Sequence, residues 1–134
     1  MKTSEQFPGV IMAWSQFEEK VIRDMCELFP DLAERLAALL YRIVDLLEIV
    51  RDHIVHPAFQ GYSMKSVAPA VAPEITYGDL DIADGGDASA AFYRIIADDT
   101  QAYEARDALR QSLMQYCCRD TLALAAVHQW LLER

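Results

Sequence analysis

Apolar and polar positions divide this chain into blocks of clear period. Val10-Ile11-Met12-Ala13-Trp14 is a continuous apolar run after Pro8-Gly9, the pattern of one short buried strand leading straight into a helix. From Phe17 onward, Val21, Ile22, Met25, Leu28 and Phe29 recur at helical spacing, and Pro30 opens a new element. Asp31 then stands as N-cap of a long amphipathic helix, whose apolar face steps by four and three through Leu32, Leu36, Leu39, Ile43, Leu46 and Val50. Glu34, Asp45, Glu48 and Asp52 fall on its polar side, so Asp45 reads as an ordinary surface charge.

Periodicity lapses from His53 to Ser63, where Pro57 and Gly61 fall. Ser63 is the expected cap of a short helix, Met64 to Ala70, with Pro73 beyond it. Residues Tyr77 to Gly86 read as irregular turn. A helix from Asp87 to Asp98 follows, burying Ala88, Ala91, Phe92 and Ile95, and Thr100 or a neighbour caps the last helical region. Trp14, Tyr41, Phe92 and Trp130 are expected in the core. The prediction is a mainly α single domain over residues 1–134, with one N-terminal strand and about five helices.

Composition narrows the classes. The chain has 134 residues, 53% of them hydrophobic and 25% charged, which suits one globular domain. Twelve Lys and Arg against 21 Asp and Glu leave a net charge of −9, which argues against a binder that relies on neutralising phosphates. Carboxylate-rich, metal-dependent enzymes remain open, since a bound cation reverses the local field. No membrane span and no export signal are visible, and Cys26, Cys117 and Cys118 suit free thiols in a cytoplasmic protein. His53, His56 and His128 lack the spacing of a zinc site, and Gly85-Gly86 lacks the Lys-Ser/Thr of a phosphate loop.

Two acids break the apolar pattern. Leu113, Cys117, Asp120, Leu124, Val127 and Leu131 step by four and three, so one carboxylate sits inside an apolar stripe. A buried carboxylate is costly unless it is paired, hydrogen-bonded or bound to a cation. Either Asp120 belongs to a site, with Tyr116 one turn before it on the same face, or the helix breaks near Cys117–Arg119 and Asp120 caps a second one. Glu18 stacks with Ile22, Met25 and Phe29 at the strand-to-helix junction. Its alternative is a solvated first-turn acid favoured by the helix dipole.

Four segments in order carry a resemblance: Phe17-Glu18-Glu19-Lys20; Gly61-Tyr62-Ser63-Met64-Lys65 leading to Pro69-Ala70; Tyr77 with Asp84-Gly85-Gly86; and Tyr116-Cys117-Cys118-Arg119-Asp120-Thr121-Leu122-Ala123. Together they resemble the prokaryotic domain of unknown function 2779, whose fold is placed with the RNase H-like, DEDD-type 3′–5′ exonucleases. The resemblance implies a metal-dependent nuclease acting on DNA or RNA. In it, Glu18 and Asp120 are ligands of Mg2+ or Mn2+, Tyr116 orients the attacking water, and Lys65 meets a phosphate. Such enzymes use two divalent ions about 4 Å apart, held by hard carboxylate oxygens. Glu18 stands where Asp is usual, and the superfamily's first motif, Asp-x-Glu on a strand of a β-meander, is absent. The expectation is therefore a truncated RNase H-like fold, α/β by ancestry and lacking most of its central sheet. It is read as the C-terminal portion of a longer protein, weak or inactive alone and completed by an upstream domain or a homo-oligomer. The competing expectation is a non-catalytic helical module that binds a protein partner.

Overall fold

The computed structural model describes residues 9–97 and 102–134. Among these the chain is mainly helical, with six α-helices and two short strands. It forms two compact units, Met1–Pro57 and Ala58–Arg134.

In the first unit, β1 (Ile11–Ala13) leads into α1 (Phe17–Leu28), a 3-10 turn (Pro30–Leu32), α2 (Ala33–Leu40), β2 (Ile43–Asp45) and α3 (Leu46–His53). The two strands run parallel, pairing Ile11 with Ile43, Met12 with Val44 and Ala13 with Asp45. Helix α1 packs on α2, and α3 against β1. The N-terminal strand and first helix thus form where the apolar pattern places them.

The long helix expected through Val50 does not form. It ends at Leu40, and Ile43 and Val44 are extended, as suits two β-branched residues with a strand beside them. Asp31 lies in the 3-10 turn instead of capping, and α2 begins after Leu32 with no side-chain cap. Asp45 is correspondingly more than a surface charge. Its Oδ1 accepts the N–H of Leu47, capping α3, and also the N–H of Ser15, each at 2.9 Å. Ser15 has φ 89°, a left-handed conformation that costs an L residue about 1–2 kcal/mol. The bond to Asp45 therefore holds the sharp turn from β1 into α1.

The second unit contains α4 (Met64–Val71), α5 (Gly85–Ala97) and α6 (Tyr103–Leu132), with α4 and α5 both packed on α6. Val67 and Ala68 of α4 and Ala123 and Val127 of α6 are fully buried. Pro69 lies inside α4, where its ring removes one helical N–H. Ser63 precedes α4 as expected but caps with its backbone carbonyl, which accepts from Ser66 and Val67. Phe59 packs its ring against those of Tyr62 and Trp130, both at 6.2 Å, fastening the start of this unit to the end of α6. Between α4 and α5 an irregular strap, residues 72–84, runs back over the bundle with Ala72, Ile75, Tyr77 and Ile82 buried.

Helix α5 starts at Gly85, two residues early, because Asp84 is its cap: the carboxylate accepts the Asp87 N–H at 2.9 Å. Ala91 and Ile95 are buried as expected, but Phe92 is 55% exposed and Tyr41 93% exposed, so neither is core. The expected ends at Asp98 and Thr100 lie outside the described residues. Helix α6 is continuous for 30 residues.

Asp45→Ala removes the acceptor for both the α3 cap and the Ser15 turn. The expected cost is about 1–2 kcal/mol, with Asp45→Asn much closer to the parent, read by urea denaturation followed through Trp14 fluorescence.

Candidate functional site

The continuity of α6 removes one of the two readings of Asp120. With the helix unbroken from Tyr103 to Leu132, Asp120 cannot be an N-cap. It is a mid-helix carboxylate, half-buried, one turn beyond Tyr116. The group that meets it comes from the strap: the Tyr77 hydroxyl donates to Asp120 Oδ1 at 2.7 Å. This is the short distance of a charge-assisted O–H···O bond. Tyr77 is 6% exposed, and its ring packs against Tyr116 at 6.5 Å and 57°.

Burial pushes both phenols up, and the Asp120 carboxylate beside them pushes further in the same direction. Tyr116 rises to about 12. Tyr77 rises more strongly. Both therefore stay protonated through the neutral range, as hydrogen-bond donors and not as bases. The Tyr116 hydroxyl lies next to the start of α5, where a Cβ built on Gly85 would come within 3.9 Å of it.

Asp84 and Lys65 stand at the same end of the unit, with Lys65 Nζ 3.9 Å from Asp84 Oδ2 and both side chains about half-exposed. The Asp84 carboxyl is held below its ordinary value first by the Asp87 N–H it caps and then by the Lys65 ammonium. On the neighbouring position of α6, Arg119 forms a two-pronged pair with Asp79, both contacts at 2.9 Å, and also donates to the Thr76 carbonyl. The guanidinium lowers the Asp79 carboxyl. Adjacent residues of the helix, Arg119 and Asp120, thus grip three positions of the strap: Thr76, Tyr77 and Asp79.

Of the residues singled out in the sequence, Tyr116, Asp120 and Lys65 belong to the second unit. Glu18 belongs to the first, exposed in the opening turn of α1. Sequence spacing does not assign roles to Tyr77, Arg119 or Asp79, since each works across about 40 residues of chain. Among the described residues, no three His, Cys, Asp or Glu side chains are grouped so as to hold a metal ion. The donor chemistry at Asp120 fits a hard cation, but this helix supplies one carboxylate and not a complete cage. Cys26, Cys117 and Cys118 are free, the last two exposed on α6. No helix among the described residues is long and apolar enough to cross a membrane.

Residues 1–64 match the family model described as Domain of unknown function (DUF2779). The match spans the first unit and reaches the start of α4, so Tyr77, Tyr116 and Asp120 lie beyond it. No curated protein and no solved structure matches the chain.

Two outcomes follow for the tyrosines. Tyr77→Phe loses a hydrogen bond to a charged group and should destabilise the protein by about 1.5–3 kcal/mol in urea denaturation. The unfolded Tyr116 phenol ionises at its ordinary 10.0 and the folded one at about 12. The folded state therefore binds that proton more tightly, and the resulting stability is complete below pH 10 and lost as pH rises through about 12. Absorbance at 295 nm should show a late-ionising class of tyrosines, with Tyr116 returning toward 10 in Asp120→Asn.

Proposed function

We propose that this chain is the helical part of a metal-dependent, tyrosine-type nuclease of the RNase H-like DEDD class, weak or silent in hydrolysis when it acts alone. The observation that carries the reading is the unbroken α6, which keeps Tyr116 and Asp120 one turn apart on one face with a protonated phenol beside the carboxylate. That is the arrangement a Tyr-x-x-x-Asp motif needs. The first unit lends support. Its parallel strands joined through helices are the kind of strand–helix–strand unit on which such a sheet is built, and Glu18 follows β1 at the junction.

In this reading Asp120 would offer a carboxylate oxygen to Mg2+ or Mn2+, while Glu18, in the first unit, is the other acid that the resemblance implies. When bound, the ions supply water activation and stabilise the leaving oxygen of a phosphodiester. The chain's own residues have narrower tasks. Tyr116, protonated at neutral pH, donates a hydrogen bond that orients a water, and Lys65, half-exposed beside Asp84, presents its ammonium to a phosphate. The remaining acids are supplied by an upstream domain of the same protein or by a second copy of the chain, acting on DNA or RNA in the reducing cytoplasm.

The Tyr77–Asp120 bond favours a second reading, a non-catalytic helical module in which the carboxylate only fastens the strap to α6. Calorimetric titration of Mn2+ separates the two. The nuclease reading expects binding that is lost in both Asp120→Asn and Glu18→Gln, with hydrolysis appearing once the missing acids are provided. Equal heats for the parent and both variants would leave the helical module.

A further inference from the structure

Independently of the nuclease reading, we infer that α6 pairs with α6 of a second copy of the chain, antiparallel about a twofold axis beside Cys117 and Cys118. One side of α6 is already covered, where α4 and α5 pack and Ala123 and Val127 are buried. On the opposite side Tyr103 is 79% exposed, Met114 57% and Leu132 67%. Apolar residues on both sides of a helix are the pattern of one that is covered from both sides.

Tyr103 and Leu132 lie about eight turns apart on this outward stripe, which is symmetric about the two exposed cysteines. Met114 lies three residues before Cys117 and Thr121 three after Cys118; Asp107 and His128 stand ten residues out, and Tyr103 and Leu132 fourteen. A twofold contact needs this property, because every pairing occurs twice with the copies exchanged. In the antiparallel pair Tyr103 packs on Leu132 of the second copy, Met114 on its Thr121, and the Asp107 carboxylate faces its His128 imidazole. The Thr121 hydroxyl donates to the Cys117 carbonyl of its own helix at 2.8 Å, so it brings no unmet polar group to the contact. Arg110 meets the small Ala125, over which its stem packs while its head reaches water. A parallel pair would set Asp107 against Asp107 and Arg110 against Arg110, opposing like charges.

The stripe is about 45 Å long and roughly 10 Å wide, so each copy contributes on the order of 450 Å2, less than the ~800 Å2 of a standard interface. The dimer is accordingly a reversible one in the micromolar range. The test uses the full chain. Sedimentation velocity under reducing conditions should show monomer and dimer exchanging between about 1 and 200 μM. Met114→Glu should weaken the dimer about tenfold or more, whereas Phe92→Glu, on the exposed face of α5, should match the parent. The register is read in chains with Cys26, Cys117 and Cys118 replaced by Ser. Diamide should join Asp107→Cys chains to His128→Cys chains in a mixture, one thiol from each giving up a proton and an electron to the oxidant as the disulfide forms. It should join neither chain to itself, since like positions lie about 30 Å apart in the antiparallel pair. Asp107→Cys chains that cross-link to one another overturn the antiparallel arrangement. A monomer at every concentration, or equal weakening in Phe92→Glu, overturns the dimer.

Discussion

A carboxylate placed in the middle of a helix that packs on its neighbours must be met by something, and in this protein the Tyr77 hydroxyl meets it. Much of the second unit is arranged around that contact. The strap has to cross α6 at one level, which requires α4 to end near Val71 and α5 to begin at Gly85 under the Asp84 cap. Arg119, next in the chain to Asp120, holds the flanking strap residues through Thr76 and Asp79, so opposite charges on successive helical positions are both answered by the same short segment. The apolar anchors Ile75 and Ile82 supply the burial, and the polar contacts supply the alignment.

The first unit solves a different problem with a similar device. Two parallel strands of three residues each carry little ladder energy, and the chain must turn sharply from β1 into α1 through a residue at positive φ. Asp45 serves both ends at once, capping α3 and tying down Ser15, so that strand pairing, turn and helix start share one acceptor.

Legibility in the sequence followed the range of the forces involved. Helix α1, α4, the turn-rich strap and the mainly helical class were readable because spacing and breakers act within a few residues. Leu39, Ile43, Leu46 and Val50 keep a helical rhythm across a break and so predict one long helix, whereas only the partner strand 32 residues earlier makes Ile43 and Val44 extended. Phe92 and Tyr41 are exposed for a related reason: aromatic size says that burial is favourable, not that a neighbour is there to provide it. At the site, Asp120 was visible as an interruption of an apolar stripe and Tyr116 as its neighbour by spacing. Tyr77 carried no local signal for its bond, since the partner lies 43 positions away.

The grip of the strap on Arg119 and Asp120 has a consequence for how α6 tolerates change. Successive helical residues point about 100° apart, so inserting or deleting one residue between Tyr103 and Gln115 must either turn the two charges away from the strap or misplace the turns that precede them. The paired contacts therefore gauge the rotational phase of a 30-residue helix from outside it. Point substitutions along the exposed face of α6 leave this gauge alone, whereas a change in its length by a single residue is read at once.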